Sequence, residues 1–311
     1  MIVANELVKD YGELRAVDEV SFEIRQGECV GLLGLNGAGK TTLLRIMSCL
    51  LTPTSGSIKV DGADVTRESE AVRKKIGFLP EEPPLYGEMT VGRFLEFAAR
   101  LRGVPRTDVG GRVQDAARRC QVNQVIDQRI ETLSYGYKKR VGIAQAVVHR
   151  PPLLILDEPI AGLDPAQIVE MRDLVHGLRG EHTVVLSSHI LTEISQTCDR
   201  ILVMQKGRVV ASGSEEELSA GLAAGKRVSV RVRGKKDQVE DALKGVEGVK
   251  SWELSETEGT IRALITSEKD RRAEISRVLV QAGLDLIEIG RPEGELESVF
   301  LKLTGEGRTE P

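Results

Sequence analysis

Two kinds of hydrophobic pattern alternate along the chain, and each predicts a different element. Residues 29–33, 153–156 and 183–186 are apolar runs of strand length with almost no polar residue. A strand covered on both faces of a sheet has this pattern, because neither row of its side chains meets water. Alternating runs at residues 2–7 and 20–24 predict a pair of strands ahead of the first buried strand.

Between residues 90 and 133 the apolar residues recur at helical spacing instead. The clearest stretch carries apolar side chains three or four residues apart, at Val91, Phe94, Leu95, Ala98 and Leu101. A helical insertion of this size between strands predicts a subdomain, about residues 83–150, that contacts another molecule. A helical layer that only covers the sheet is the alternative.

The composition changes again near residue 225, where a second region begins. Its patterns follow the order strand, helix, strand, strand, helix, strand, and then a last amphipathic helix through Leu296, Val299, Phe300 and Leu303. This order predicts a small ferredoxin-like α+β domain over residues 225–305, after a first domain at 1–220. Since it has no cluster of catalytic residue types, its role is either regulatory or dimer-supporting, or it only stabilises the chain. Residues 306–311 are expected to form a disordered tail.

Composition and charge narrow the class of protein. Of the 311 residues, 41% are hydrophobic and 29% charged, as in a soluble globular protein, and the net charge of -4 argues against a general nucleic-acid binder. No apolar run approaches the roughly 20 residues that cross a bilayer. The first residues, MIVANELVKDYGEL, lack the positively charged flank and apolar core of a signal peptide. We therefore expect a cytoplasmic protein.

A glycine-rich stretch, GLNGAGKTT at residues 34–42, lies between the apolar run at 29–33 and a helical pattern. Its glycines let the backbone turn sharply and approach a phosphate, and the following helix offers unpaired N–H groups. Lys40 can then reach the β- and γ-phosphates, and the Thr41 hydroxyl can bind Mg²⁺. The stretch predicts a nucleotide site formed by Gly34, Leu35, Asn36, Gly37, Ala38, Gly39, Lys40, Thr41 and Thr42.

Two carboxylates, Asp157 and Glu158, follow the apolar run at 153–156. Packing does not explain them, because uncompensated buried charge is costly. Beside a phosphate loop, Asp157 suits a Mg²⁺ site, and Glu158 suits a residue that orients and activates the attacking water. His189 follows the run at 183–186 at the same level of the sheet, so it could hydrogen-bond a γ-phosphate.

Two further features remain open on their own residues. Tyr11 lies upstream of the phosphate loop, where an aromatic ring either stacks on a nucleotide base or simply packs in a strand pair. The segment LSYGY at residues 133–137 can be no more than a helix start, with Ser134 as the cap and Gly136 giving an open backbone.

The ordered set of motifs resembles the ATP-binding subunit of an ABC transporter over about residues 1–220. In that family the phosphate loop, the signature (here residues 133–137), the Walker B pair Asp157 and Glu158, the D-loop at residues 161–164 and the switch His189 occur in this order. The resemblance implies a P-loop NTPase α/β core with a helical subdomain and a head-to-tail homodimer. It also implies an ATP-hydrolysing enzyme that uses ATP and Mg²⁺.

The resemblance assigns roles to further residues. Each ATP would lie between one subunit's phosphate loop and the other's signature, so Ser134 and Gly136 would contact the γ-phosphate in trans. Tyr11 would stack on adenine, and Asp164 would communicate across the interface. The family's Q-loop role, as a catalytic and Mg²⁺-binding residue, would fall to Glu81.

This chain departs from the family pattern at two places. The usual signature is LSGGQ, so Tyr135 and Tyr137 replace a glycine and a glutamine. The Q-loop glutamine is replaced by Glu81, whose negative charge near the γ-phosphate would weaken ATP binding or change coupling.

Within the family, three segments look like the ATPases that serve ABC-2 type permeases, the gliding-motility and multidrug branches above all. They are LPEEPPLYGEMTVGRFLEF, LSYGYKKRVGIAQAVVH and SSHILTEISQTCDRILVMQKGRVVASG. The resemblance implies export, a separate permease whose coupling helix meets residues 83–101, and a place on the cytoplasmic face of the membrane. The alternative is an ABC ATPase that acts as a clamp on ribosomes or DNA, although this chain lacks their second cassette and their coiled-coil insertion.

Overall fold

The computed structural model describes residues 1–222, 226–257 and 259–290. The chain divides into two compact units, Met1–Ser214 and Glu215–Pro311. The strands of the first unit are β1 (Ile2–Tyr11), β2 (Leu14–Ile24), β3 (Cys29–Leu33), β4 (Ser55–Val60), β5 (Ala63–Asp64), β6 (Ile76–Leu79), β7 (Leu153–Leu156), β8 (Thr183–Ser188), β9 (Arg200–Gln205) and β10 (Arg208–Gly213). Its helices are α1 (Lys40–Met47), α2 (Ser69–Lys74), α3 (Val91–Leu101), α4 (Val109–Arg119), α5 (Tyr135–Val147), α6 (Pro165–Leu178) and α7 (Leu191–Ser195).

The main sheet of the first unit has six strands in the order β10-β9-β3-β8-β7-β6. All neighbours run parallel except the β9–β10 hairpin. Every residue of β3, β7 and β8 is buried, which confirms the prediction of strands covered on both faces. Since parallel strands end at the same edge of a sheet, the segments after these three strands meet there.

A second, antiparallel sheet has the order β2-β1-β4-β5. Alternate residues of β1 and β2, such as Ile2 and Ile24, are buried, as the alternating pattern predicts. They join one continuous core with Leu43 and Ile46 of α1 and with Leu32 of the main sheet. Helix α1 is therefore held between the two sheets, and the loop before it is fixed at both ends.

The helical pattern between the strands forms α3, α4 and α5. Thr90 begins α3 by accepting a hydrogen bond from Arg93 N, and Val91, Phe94 and Leu95 on its apolar side are buried. The last member of the predicted stripe, Leu101, is 73% exposed. Helical spacing therefore placed the helix correctly, but this leucine lies on an open surface instead of in the core.

The second unit contains β11 (Lys226–Arg233), β12 (Val249–Thr257), β13 (Thr260–Ser267) and β14 (Asp285–Gly290), with α8 (Glu215–Leu222), α9 (Lys236–Lys244) and α10 (Arg272–Gln281). Its strands and helices from β11 onwards follow the predicted order, and the antiparallel sheet β12-β13-β11-β14 has the ferredoxin-like strand order. Val230, Ile265 and Leu279 lie in its separate core. The predicted last helix at 296–303 and the tail lie outside the described residues. Among the described residues, no helix is long and apolar enough to cross a membrane.

Candidate functional site

The glycine-rich loop connects β3 to α1 at the edge where the central parallel strands end. Gly39 caps α1 with φ 101°, and a Cβ there would lie 2.3 Å from the carbonyl oxygen of Ala16. A Cβ on Gly34 would lie 2.6 Å from the carbonyl oxygen of Met204. Both positions therefore require glycine, because a side chain would collide with backbone. The loop consequently leaves the first N–H groups of α1 facing a cleft, as an anion site needs.

Lys40, the first residue of α1, is 6% exposed. Its Nζ donates to the carbonyl oxygen of Gly34 at 2.6 Å and lies 3.5 Å from Glu158 Oε1. The ammonium group is thus fixed over the loop and shares a buried site with one carboxylate. A phosphate bound in the loop would be a second negative group beside the Lys40 ammonium, in addition to the Glu158 carboxylate.

Asp157 follows β7 and is 1% exposed. Ser187 Oγ, at the end of β8, donates to Asp157 Oδ1 at 2.7 Å, and Thr41 Oγ1 donates to the same oxygen at 3.4 Å. A carboxylate and a hydroxyl therefore lie side by side at the start of α1. Oxygen ligands of this kind are those that Mg²⁺ binds together with substrate phosphates, so the residues fit that ion.

Glu158 is held by contacts to both its backbone and its side chain. Its backbone has φ 46°, which side-chain-bearing residues rarely adopt, and its N–H donates to Ser187 Oγ at 2.9 Å. Its Oε2 lies 3.1 Å from His189 Nδ1, and its side chain is 8% exposed. The carboxylate is therefore held between Lys40 and His189, at a position where it could accept a proton from water.

Lys40, Thr41, Glu158 and His189 border one cleft of about 320 Å³. Its lining residues are Tyr11, Leu14, Ala16, Leu35, Asn36, Gly37, Ala38, Gly39, Lys40, Thr41, Thr42, Glu81, Glu158, Ala161 and His189. Tyr11 ends β1 and is 44% exposed, with Lys9 Nζ 5.4 Å from its ring centre. The structure thus brings together the predicted loop, Tyr11, Glu81, Glu158 and His189.

Five predicted site residues do not line this cleft. Gly34 and Asp157 lie directly behind it, hydrogen-bonded to Lys40 and Thr41, whereas the other three lie at the starts of α5 and α6. Ser134 caps α5 and accepts a hydrogen bond from Tyr137 N at 3.4 Å, and Asp164 caps α6 and accepts one from Gln167 N at 2.9 Å. A Cβ on Gly136 would lie 2.7 Å from Gln167 Oε1. The first turns of α5 and α6 therefore form one surface, the signature surface, which holds Ser134, Gly136 and Asp164 away from the phosphate loop of the same chain.

Sequence reasoning missed two polar residues that organise the site. Ser187 bridges the carboxylate of Asp157 and the backbone of Glu158, and its position at the end of a buried strand was the available signal. Lys139 is fully buried and donates to the carbonyl oxygens of Glu81 and Glu158. Its place three residues after Gly136, on the buried side of α5, was the signal that a charge there needs a partner.

A glycine loop between a parallel strand and a helix, a buried lysine over the loop and an acidic pair after another strand of the same sheet define a P-loop nucleoside triphosphatase. The family model described as ABC transporter matches residues 17–161. The chain belongs to the ATP-binding proteins of the ABC transporter family, which hydrolyse ATP.

Relatives match almost the whole chain. It is 31% identical to the bacitracin transport ATP-binding protein BcrA of Bacillus licheniformis, over 99% of this chain and 98% of that protein. It is 34% identical to the daunorubicin resistance ATP-binding protein DrrA3 of Streptomyces coeruleorubidus, over 96% and 94%. The alignments therefore extend through the second unit as well as the first.

Solved structures match the first unit. A structure described as the ATP-binding subunit of an ABC transporter is 30% identical, with a TM-score of 0.65, over 71% of this chain and 92% of that chain. A dimeric ATP-binding cassette, MJ0796 with ADP and Pi bound, is 25% identical, with a TM-score of 0.63, over 69% and 98%. These likenesses confirm the predicted ABC ATPase fold.

Proposed function

We propose that the chain powers a separate ABC-2 type permease that exports its substrate. The observation that carries this proposal is an apolar groove on the helical region, separate from the ATP cleft. Support also comes from the relatives that align along the whole chain, since their names refer to bacitracin transport and daunorubicin resistance. The chain would then act peripherally, on the cytoplasmic face of the membrane.

The groove has a volume of about 580 Å³ and an aromatic floor. The ring of Tyr86 meets Phe94 edge-on at 6.0 Å and Phe97 at 5.7 Å between centroids. Tyr86, Phe97 and Leu101 are 49%, 42% and 73% exposed. Apolar side chains clustered in an open groove mark an interaction site, and an amphipathic helix is the element that such a groove accepts. We assign the groove to the permease's coupling helix.

The charged residues of the groove further restrict the chemistry of the partner that it can bind. Arg73 and Arg102 both line it, and Arg102 Nη1 donates to the backbone carbonyl oxygen of Arg73 at 2.9 Å. Burial, together with the Arg73 charge, lowers the pKa of Arg102 below its ordinary value. Within the described part of the chain neither arginine forms an ion pair with a carboxylate, and Glu70, which also lines the groove, forms its ion pair with Lys74. A coupling helix with an acidic side chain beside its apolar face would complement both features.

For hydrolysis, we assign the roles from the cleft. Glu158 orients the attacking water and accepts its proton, while Lys40 and His189 stabilise the negative charge that develops on the γ-phosphate. Thr41, Asp157 and Glu81 would hold Mg²⁺, which neutralises charge on the β- and γ-phosphates when it is bound. The proposed site therefore keeps the carboxylate, the ammonium and the imidazole on one side of the substrate.

The opposite side of the substrate would come from a second copy of the chain. Ser134, Gly136 and Asp164 lie on the signature surface and border no part of their own cleft. In a head-to-tail homodimer this surface covers the partner's bound ATP, and Ser134 and Gly136 contact its γ-phosphate. Closure on ATP and reopening after hydrolysis would drive the permease.

Co-purification tests the proposal. Full-length chain expressed with a candidate six-helix permease should be recovered with it from detergent-solubilised membranes. Leu101→Asp should reduce this recovery by at least about tenfold, because it introduces a charge into an apolar groove that already contains aromatic rings. Leu50→Asp is the matched control, since Leu50 is 62% exposed and lines neither the groove nor the cleft.

Two results would contradict the assignment. If Leu101→Asp were recovered as well as Leu50→Asp, the groove would not be the docking site. Recovery of the chain with ribosomes or nucleic acid, and not with a polytopic membrane protein, would favour the alternative of a soluble clamp.

A further inference from the structure

We propose that Lys139 is a positioning residue that holds the backbone of Glu158 against that of Glu81. The signature helix α5 would thereby set the geometry of the hydrolytic carboxylate in its own chain. This inference rests on the proposed role of Glu158. It adds a connection inside one subunit to the contacts proposed between two subunits.

Lys139 lies behind two segments that line the cleft. It lies in the second turn of α5 and is completely buried. Its Nζ donates to the carbonyl oxygen of Glu81 at 2.5 Å and to that of Glu158 at 3.2 Å. One ammonium group therefore joins the segment after β6 to the segment after β7, and both of these segments border the cleft.

The backbone of Glu158 depends on the hydrogen bond from Lys139. With φ at 46°, this residue holds a conformation that costs free energy and persists only when its surroundings fix it. The Glu158 N–H donates to Ser187 Oγ, and the Glu158 carbonyl accepts from Lys139 Nζ at 3.2 Å and from Ala161 N at 3.3 Å. Without Lys139 the carbonyl keeps only the longer bond from its own loop, and the carboxylate can move from its place beside His189.

The side chain of Tyr135 covers the same lysine from the signature surface. Lys139 Nζ lies 5.5 Å from the centre of the Tyr135 ring, a distance typical of a cation–π contact. The ring also faces the D-loop, because a Cβ on Gly162 would lie 3.2 Å from Tyr135 Cε1. The tyrosine at the usual glycine position thus forms a bridge from the signature surface to Lys139.

Burial and the nearby carboxylates act on the Lys139 ammonium group in opposite directions. Burial has the larger effect and lowers the pKa of Lys139, and the negative charges of Glu81, Asp157, Glu158 and Glu82 offset part of this shift. An ammonium group in the interior needs both hydrogen-bond acceptors and nearby negative charge, and this position supplies both. Glu81, which stands where the family usually has glutamine, therefore adds a carboxylate close to the Lys139 ammonium group that joins the two segments.

Hydrolysis and nucleotide binding should respond differently to the loss of Lys139. The lysine contacts neither the phosphate loop nor α1, so the binding of ADP should depend on it little. The contacts go to backbone carbonyl oxygens, so substitutions of the Glu81 or Glu158 side chains do not remove them. A purely structural residue would instead change stability and binding together.

The test compares three full-length variants for kcat, KM for ATP, equilibrium Kd for ADP and thermal midpoint. Lys139→Met keeps the length of the side chain and removes its donors; kcat should fall by at least about tenfold, with the ADP Kd within about threefold of wild type. Lys139→Gln keeps amide donors and should recover part of the lost kcat. Lys244→Met is the control, because this helical lysine of the second unit is exposed and donates to Asp241, and its kcat should not change.

Several outcomes would overturn the inference. A Lys139→Met enzyme with wild-type kcat would do so, as would a parallel loss of kcat and ADP binding, which indicates a structural role. If Lys139→Met does not fold, Lys139→Gln carries the test, and a kcat equal to wild type or a loss of ADP binding contradicts the inference. Failure of both variants to fold would also indicate a structural role. Glu158→Gln separates the two proposals, because wild-type activity in that variant would refute the proposed role of Glu158 itself.

Discussion

The phosphate-loop side of the site and its signature surface lie in the same unit, but they differ in how complete they are. On the phosphate-loop side, Lys40, Asp157 and Glu158 are buried. Lys40 donates to the carbonyl oxygen of Gly34, and Ser187 Oγ hydrogen-bonds both the Asp157 carboxylate and the Glu158 N–H. On the signature surface, Ser134 is exposed and accepts only from its own helix. The first region is preorganised to bind a nucleotide. The second region carries predicted site residues, but these residues do not border the cleft of their own chain. The difference supports the proposal that each ATP site is divided between two copies of the chain.

The two regions are built differently for a physical reason. The phosphate-loop side is formed where parallel strands end together, so the topology of the sheet alone brings its residues to one edge. The signature surface is formed by the first turns of two helices, whose N-terminal residues face outwards. Variants of the two sides should therefore fail in different ways.

The largest expected effect is on the phosphate-loop side. Glu158→Gln removes the proposed proton acceptor while the amide keeps the size of the side chain, so kcat should fall by at least about a thousandfold. The Kd for ADP should stay within about threefold of wild type, because the loop is unchanged. Steady-state ATP hydrolysis and ADP titration measure the two quantities, and a variant with wild-type turnover would refute the assigned mechanism.

A substitution on the signature surface should abolish turnover without loss of nucleotide binding. Ser134→Arg places a bulky cation where the proposed partner's γ-phosphate contacts the surface, and we expect kcat to fall about a hundredfold. Removal of the helix cap costs only about 1 kcal/mol of stability, so the chain should remain folded. The Kd for ADP should be unchanged.

Lys40→Ala provides the contrast with Ser134→Arg, because it should weaken ADP binding by about a hundredfold. If Ser134→Arg weakened ADP binding to a similar extent, the two regions would not be separate halves of the site.

A smaller effect should follow from the aromatic residue at the edge of the cleft. Tyr11→Ala should raise the Kd for ADP about fivefold, since a stacked ring contributes roughly 0.5–1.5 kcal/mol. Tyr11→Phe keeps the ring and is the control. If the Ala and Phe variants bound ADP with equal affinity, Tyr11 would have only a packing role.

The last expected effect is on stability alone and concerns the contact between the helical region and the sheet. His149 follows α5, and its Nε2 lies 3.2 Å from the carbonyl oxygen of Ile76 in β6. Burial, with the Arg102 charge, lowers the pKa of His149 from 6.5 to about 4. The imidazole stays neutral in the fold while the unfolded chain takes up a proton. Its contribution to stability is therefore complete above pH 6.5 and is lost as the pH falls towards 4.

Urea unfolding at pH 7 and pH 4.5 measures this effect. Wild type should lose about 2 kcal/mol more than His149→Gln between the two pH values, because each pKa unit corresponds to about 1.4 kcal/mol. Equal losses in the two proteins would show that His149 does not titrate as described.

The sequence indicated most of the phosphate-loop side for a reason visible in particular residues. The loop needs glycine at positions such as Gly39, and the acidic pair follows an unbroken apolar strand, so both carry local signals. The exposure of Leu101 had no such signal, and the position of Lys139 in the helix did not show which groups it contacts. Both depend on which neighbouring segments cover α5 and α3, and helical spacing does not contain that information. The positive φ of Glu158 likewise depends on Ser187 and Lys139, which are distant in sequence.

Mixing two inactive variants tests the divided site most directly. Lys40→Ala and Ser134→Arg would each be inactive alone, and a mixed dimer would combine one intact phosphate loop with one intact signature surface. An equal mixture should recover up to about a quarter of wild-type ATP hydrolysis, since half of the dimers are mixed and each has one of two sites restored. A mixture that stays as inactive as its components would contradict the proposal that each ATP is bound between two chains.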